Sequence, residues 1–442
     1  MHLGRVLPAC ISDTNLLRSK SAFAHLPVGF GQLEGDSMKT QTLKGFRDFL
    51  PKEALKRQWL RGKISGVFEL WGYDPLETPT LEPLELFAGQ IGEDEKLFFK
   101  FKDPGGRDVA LRYDQTVPAA RVVGQYAQQI PMPFKRYQIQ PAFRAENPQK
   151  GRYREFLQCD ADIFGLESPL ADAEIIALSL DIYKKIGFPR AVARINDRQL
   201  LTSLPYEAIV AIDKIKKIGE EGVIREMEKK GISAGDAKRY LATVGDLRPN
   251  ETITSILEYL KTYGFDESWY VFDPTIARSF SYSTGPIWEI EIPGFTGGSV
   301  LGGERFDKLI ETIAGVKIPG TGFGLGFDRT LEAAEQFNLI PEIPTAAFVL
   351  VTVFSDDALS RSVAITKKLR DAMINTELYT DAGAKLDKQL KYADKKGIPY
   401  VIIQGPEEVA KGVVKLKDMK SQKQEELTID QIIKKLTNVI MF

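Results

Sequence analysis

Between Phe143 and Gln158 the chain reads Phe-Arg-Ala-Glu-Asn-Pro-Gln-Lys-Gly-Arg-Tyr-Arg-Glu-Phe-Leu-Gln. Four cations, two acids and three aromatic residues surround an Asn-Pro-Gln-Lys-Gly turn. Turn residues between two strand-like segments predict a hairpin. Such a hairpin would bring arginines, a carboxylate and an aromatic ring to one side of a sheet. These groups suit a nucleoside triphosphate: guanidiniums bind phosphates, a ring stacks on the base, and a carboxylate accepts from its amine. A second candidate is Gly322-Phe323-Gly324-Leu325-Gly326-Phe327-Asp328-Arg329, where small residues let backbone approach a ligand and Arg329 begins a helix.

Composition removes several chemistries. The only histidines are His2 and His25, both ahead of Met38. Ser-His-Asp triads, histidine bases and histidine–metal sites are therefore closed to the body of the chain. Cys10 and Cys159 are the only cysteines, too few for a disulfide framework or a cysteine zinc site, and a reducing cytoplasm is the expected setting. A net charge of −1 argues against wholesale electrostatic binding of nucleic acid but leaves room for a local patch. No apolar run approaches the roughly 18 residues of a membrane helix. Arginine, carboxylates, backbone dipoles and the substrate itself must do the work.

The elements that would position these groups follow from periodicity and turn residues. Residues 1–37 lack clear periodicity and read as a disordered leader or a misplaced start. Residues 52–70 predict an amphipathic helix with Leu55, Trp59, Val67 and Leu70 near one face, stopped by Trp71-Gly72-Tyr73. An extended segment then runs to Glu82, and 98–112 predict a hairpin around Asp103-Pro104-Gly105-Gly106. Segments 134–146 and 152–164 are the strands flanking the opening motif, followed by a helix over 168–187. Residues 200–262 look like an inserted helical module, with Ile253, Leu257 and Leu260 at helical spacing. Strands return at 269–273 and 284–292, before a Gly-rich stretch at 294–303. After the linker 339–344 the rhythm becomes βαβαβ, which predicts a small α/β domain over 345–442 with a mostly parallel sheet. That domain is slightly basic, with 16 Lys and Arg against 13 Asp and Glu.

The order of these motifs resembles the class II aminoacyl-tRNA synthetases, and among them the histidyl-tRNA synthetases, over about residues 38–442. Phe-Arg-x-Glu, Pro-Gln-Lys-Gly-Arg-Tyr-Arg and Phe-x-Gln match motif 2 of that family almost letter for letter. The resemblance implies that Arg144 holds the ATP α-phosphate and the amino-acid carboxylate, that Glu146 accepts from the adenine amine, that Arg152 reaches the terminal phosphate and that Phe156 stacks on adenine. The segment ending in Arg329 resembles motif 3, which places this arginine on the other face of adenine and at the terminal phosphate. Trp71-Gly72-Tyr73, Thr78-Pro79 and Gly92-Glu93 resemble motif 1, which builds a homodimer interface in the family.

Leu111-Arg112-Tyr113-Asp114-Gln115-Thr116 is similar to the segment whose acid and threonine hold the substrate ammonium; Gln158 and Asp162 fall where the family contacts the amino acid. Ile276-Ala277-Arg278-Ser279-Phe280-Ser281-Tyr282-Ser283-Thr284-Gly285 is similar to the histidine-specific Arg-Gly-Leu-Asp-Tyr-Tyr-Thr-Gly, with Arg278 at the α-phosphate and Tyr282 as the first tyrosine. Ser283 stands where the second tyrosine is expected. Gly302-Gly303-Glu304-Arg305-Phe306-Asp307 keeps the Gly-Gly and Arg-x-Asp elements of the second such segment but has Glu and Phe for Gly and Tyr.

In the C-terminal domain Leu386, Leu390 and Ala393 would face the sheet, and Lys385, Lys388 and Lys391 would meet phosphates. The resemblance implies an α+β fold: an antiparallel-sheet catalytic core over 38–340 with a helical insertion at 200–262, then a C-terminal α/β anticodon-binding domain. It implies a ligase that joins L-histidine to its tRNA through a histidyl-adenylate, with ATP as substrate. Mg²⁺ would arrive with the ATP, held mainly by phosphate oxygens and a few carboxylates, with no particular side chain assigned as its ligand. A non-catalytic, histidine-sensing relative resembling the regulatory subunit of ATP phosphoribosyltransferase is the alternative, and a synthetase for another amino acid is a second one.

Overall fold

The computed structural model describes residues 40–87, 97–148, 151–278 and 282–440. From Thr42 onward the chain forms one compact unit. The leader, Gly92-Glu93, Gln149-Lys150 and Ser279-Phe280-Ser281 lie outside the described residues.

The first elements are α1 (Pro51–Leu70), β1 (Asp74–Pro75), β2 (Leu81–Pro83), β3 (Lys100–Lys102), β4 (Asp108–Leu111) and α2 (Thr116–Gln125). They lead into the long hairpin β5 (Phe134–Phe143) and β6 (Glu155–Phe164), then α3 (Pro169–Ile186) and β7 (Val192–Asp197). Pro51 starts α1 where its missing N–H costs nothing. Its buried stripe is Leu60, Ile64, Val67 and Phe68. The predicted face was displaced: Leu70 is exposed, and the stripe runs through Leu60 and Ile64 because helical spacing places them above Val67 and Phe68. Ser168 caps α3 by accepting from Leu170 N–H, and Gly187, at φ 110°, ends it.

Four helices follow: α4 (Tyr206–Ile212), α5 (Ile215–Lys229), α6 (Ala234–Gly245) and α7 (Glu251–Thr262). Ile209, Ile212, Val223, Met227 and Val244 give α4–α6 a core of their own. In α7 the buried residues are Ile253, Ile256 and Leu260, and they join the core that contains α3. Next come β8 (Tyr270–Phe272), β9 (Pro286–Glu291), β10 (Leu301–Arg305), α8 (Leu309–Ala314), β11 (Gly320–Gly326) and α9 (Phe327–Gln336). Eight strands form one sheet in the order β1-β5-β6-β11-β10-β9-β7-β8, with β5 through β7 successively antiparallel along it. A small sheet, β2-β4-β3, stands apart from it. The sequence reading assigned no element to the residues of α2 and β11. Pro118 and paired valines hide α2, although a proline in the first turn costs a helix little. The glycine run reads locally as a loop, yet it is a central strand.

The C-terminal part contains β12 (Val349–Val351), α10 (Leu359–Asp371), β13 (Thr376–Leu378), α11 (Leu386–Lys396), β14 (Tyr400–Ile403), α12 (Pro406–Lys411), β15 (Val414–Asp418), β16 (Gln424–Leu427) and α13 (Ile429–Ile440). Its sheet runs β13-β12-β14-β15-β16. Only the two β12 ladders are parallel; β14–β15 and β15–β16 are antiparallel, so the sheet is mixed rather than mostly parallel. The physical reason is the short α12 link and the β15–β16 hairpin, which lack a crossover long enough for parallel pairing. Ala393 is buried, with Leu386 and Leu390 packed around it as expected.

Candidate active site

Antiparallel register sets one row of side chains after another on the same face of the large sheet. Arg136, Gln138 and Gln140 on β5 face Asp162, Asp160 and Gln158 on β6. Those three face Gly322, Gly324 and Gly326 on β11. Gly322 and Gly324 in turn face Glu304 and Gly302 on β10, and Glu289 on β9 stands beside Gly302. The glycines make a floor flanked by charged walls. A Cβ on Gly322 would lie 1.8 Å from the Asp162 carboxylate, one on Gly324 2.8 Å from the Gln158 amide, and one on Gly302 2.0 Å from the Arg278 guanidinium. Glycine inside a strand marks such a close approach.

Above this floor lies a cavity of about 390 Å³. Its lining includes Asp114, Thr116, Arg144, Glu146, Arg152, Phe156, Gln158, Arg278, Tyr282 and Arg329, ten of the eleven residues singled out from sequence. Asp162 is not among them. It lies on the same face, its carboxylate over Gly322, 1% exposed and in an ion pair with the fully buried Arg136.

Part of the lining is cationic. The Arg144 guanidinium lies 4.3 Å from the Tyr113 ring centroid and 5.1 Å from that of Phe156. Arg329 donates to the Ser299 carbonyl at 2.8 Å. Burial, reinforced by the nearby charges of Arg152 and Arg144, pulls the Arg329 pKa down. Glu146 pairs with Arg152 at 3.3 Å. Guanidiniums that repel one another on a concave wall are stabilised by a polyanion.

Asp328 ties this wall together. It accepts from Arg47 at 2.9 Å, from Arg57 at 2.5 Å and from the Leu157 backbone N–H at 3.3 Å. The start of α9, the chain entering α1, and the backbone beside Phe156 are thereby held to one carboxylate.

The lining also carries acids. Asp114 Oδ1 accepts from Val117 N–H at the start of α2, while Oδ2 is buried with no hydrogen-bond partner. Burial pushes the Asp114 carboxyl up to about 6. A ligand ammonium would satisfy that oxygen. Arg278 sits at φ 47°, in the left-handed region, and donates to Glu304 at 3.1 Å. Burial works against its charge, but Glu304, Glu289 and Asp213 outweigh that and raise its pKa. Burial also keeps the Tyr282 hydroxyl protonated far above neutral pH.

A family model described as "Histidyl-tRNA synthetase" matches residues 45–233, and one described as "Anticodon binding domain" matches 348–439. The histidine–tRNA ligase of Gloeobacter violaceus is 36% identical over 452 residues, covering 88% of this chain and 96% of that protein. That of Cytophaga hutchinsonii is also 36% identical, covering 89% and 98%. The chain belongs to the histidyl-tRNA synthetase family. The crystal structure of the histidyl-tRNA synthetase from Nostoc sp. PCC 7120 superposes with a TM-score of 0.77 at 28% identity, covering 90% of this chain and all of that one.

Against the histidyl-tRNA synthetase pattern, sequence reasoning did not single out Tyr113, Glu289, Glu304 or Asp160 as site residues. The alternating glycines at 320, 322, 324 and 326 were the available signal for the floor, because period two is the strand repeat. Asp160 is fully buried; its two oxygens accept from the Gln158 amide at 2.9 Å. Burial pushes its carboxyl up to about 8. An acid whose folded pKa is raised loses stability as pH climbs from its unfolded value, near 4, to its folded one. Asp160→Asn is therefore expected to raise the melting temperature at pH 8 by on the order of a few degrees and to change little at pH 4. Melting curves at the two pH values check this; equal effects at both would contradict it.

Proposed function

We propose that this chain joins L-histidine to tRNA(His) in two steps at the cavity, the first of which consumes ATP. The observation that carries the proposal is one concave site lined both by Arg144, Arg152 and Arg329 and by the unsatisfied Asp114 oxygen. Those groups fit a triphosphate and an amino-acid ammonium, and one cavity holds the two reactants against one another.

In the first step a carboxylate oxygen of histidine attacks the α-phosphorus of ATP and pyrophosphate leaves, giving histidyl-adenylate. Arg144 and Arg278 stabilise the charge that develops on the α-phosphate and carboxylate oxygens. Phe156 and Arg329 sandwich adenine, Glu146 accepts from its amine, and Arg152 and Arg329 reach the terminal phosphate. Asp114 and Thr116 hold the ammonium, Gln158 and Tyr282 contact the amino acid, and Asp162, over Gly322 on the same face, acts through its ion pair with Arg136. In the second step a hydroxyl of the terminal tRNA adenosine attacks the histidyl carbonyl and AMP leaves. Proton transfer can pass through the substrate's own phosphate, so a body without histidine is no obstacle.

Mg²⁺ enters as the counter-ion of ATP. Among the described residues no group of three acids, cysteines or histidines is arranged to hold a metal, and Glu146 and Glu304 already pair with arginines. No step is assigned to the ion.

The division into a catalytic region over 38–340, with its insertion at 200–262, and an anticodon-binding region over 345–442 is supported by separate hydrophobic cores on either side of the 339–344 linker. Lys388 and Lys391 pair with Asp381 and Asp387 in full solvent, where such pairs exchange readily for phosphate, and with Lys385 they form the tRNA-facing row. Leu81 and Phe101, exposed on the small sheet, support a homodimer near the motif 1 segment. Among the described residues no helix is long and apolar enough to cross a membrane. A cytoplasmic setting is supported by the low cysteine count.

The regulatory-subunit alternative is disfavoured by the anticodon-binding match and by the retained Arg144, Arg152 and Arg329. Charging tests the proposal: tRNA(His), histidine and ATP together are expected to give histidyl-tRNA. Product that forms equally well without ATP, or no product with an intact tRNA, would contradict it.

A further inference from the structure

Two departures from the family pattern, Ser283 for tyrosine and Glu304 for glycine, lie 21 residues apart and touch in the fold: the Ser283 hydroxyl donates to Glu304 Oε2. The other Glu304 oxygen accepts from Arg278 Nη2 at 3.1 Å. Both residues are buried, at 8% and 4% exposure. The serine hydroxyl, one atom beyond Cβ, already meets the carboxylate. A phenol ring leaving Cβ in the same direction would overlap it. The small residue at 283 and the long one at 304 therefore fit each other, and either family residue alone would leave a void or a clash.

The carboxylate also fixes a cation. Arg278 has a left-handed backbone, and its guanidinium crosses Gly302 where no Cβ could stand. Glu304 is the acid to which its Nη2 donates, on the floor side of the cavity.

We propose that Ser283 and Glu304 are a matched pair that positions Arg278 for adenylate formation, in place of the tyrosine and glycine of the family pattern. The inference rests on the role given to Arg278 above. Glu304 acts through Arg278 and is a positioning residue. Ser283 orients Glu304 in turn. A guanidinium displaced by about 1 Å loses on the order of 10²-fold in rate, while the affinity for histidine, set largely by Asp114 and Thr116, changes little.

The test measures histidine-dependent ATP–pyrophosphate exchange and thermal melting on the full-length protein and four variants: Glu304→Gln, Glu304→Gly, Ser283→Tyr, and Ser283→Tyr with Glu304→Gly. Glu304→Gln keeps the shape and removes the charge. It is expected to lower kcat roughly tenfold or more with KM for histidine within about threefold. Ser283→Tyr alone is expected to be the least active, and the double variant to recover well above it, a non-additive result that only a coupled pair gives.

Unchanged kcat in Glu304→Gln overturns the proposal. So does a raised histidine KM with kcat intact, which would make Glu304 a substrate contact. A double variant equal to the product of the singles overturns the matching. If a Gly or Tyr variant fails to fold, Glu304→Gln alone decides the positioning role. A parent that exchanges pyrophosphate while Glu304→Gln matches it sinks this inference only. A parent silent with every amino acid sinks the function with it.

Discussion

Arg278→Ala is expected to leave a folded protein that forms histidyl-adenylate on the order of 10²- to 10³-fold more slowly than the parent, the usual loss when one donor aimed at developing charge is removed. The structure adds a stability cost. Glu304 is 4% exposed; without Arg278 its side chain keeps, among the described residues, the Ser283 hydroxyl as its hydrogen-bond donor. A buried carboxylate stripped of its cation costs about 3–5 kcal/mol. Pairing Arg278→Ala with Glu304→Gln removes the orphaned charge, so the double variant should regain much of the melting temperature and none of the exchange rate. Pyrophosphate exchange beside a melting curve separates the two losses. An Arg278→Ala variant with parental exchange would remove Arg278 from the chemistry.

Gly302→Ala is expected to be nearly as damaging to rate, yet harmless to the fold. The added methyl would stand 2.0 Å from Arg278 Nη1 and 2.9 Å from its central carbon. It meets the far end of a flexible side chain, so the backbone can stay while the guanidinium moves off by an ångström or more. Such a displacement costs on the order of 10²-fold in kcat. The glycine at 322 makes the contrast. There the methyl meets the Ala161 carbonyl at 2.6 Å as well as the Asp162 carboxylate, and neither can swing away without opening the sheet. Gly322→Ala should therefore lose stability by about 1–3 kcal/mol, as overpacked interiors do. A Gly302→Ala enzyme with full kcat would show that Arg278 works from another position.

Legibility in the sequence followed the range of the interactions. The β5–β6 hairpin is announced by its own turn, and α1 and α3 by proline, serine and glycine at their ends, because those signals act over a few residues. Residues 320–326 were opaque for the opposite reason. Glycine reads locally as a loop former, and its place in a strand follows only from pairing with Asp162, Asp160 and Gln158 about 160 residues earlier.

The cavity shows the same division. Arg144, Glu146, Arg152 and Phe156 come from one hairpin and were visible together. Asp162 stood in the same hairpin, on the face of Gln158 and Asp160, and its ion pair with Arg136 across the strand pair holds it buried beside the cavity. Glu304 was noticed as a departure from pattern. What it does became visible only when Ser283 and Arg278 were found against it.

The central claim is that this cavity activates histidine. Amino-acid-dependent ATP–pyrophosphate exchange, run with each of the twenty amino acids, measures that step without tRNA. Exchange with histidine and background with the other nineteen is the expected result. Exchange with none would contradict the adenylate-forming site, and exchange driven by another amino acid would contradict the assignment of histidine.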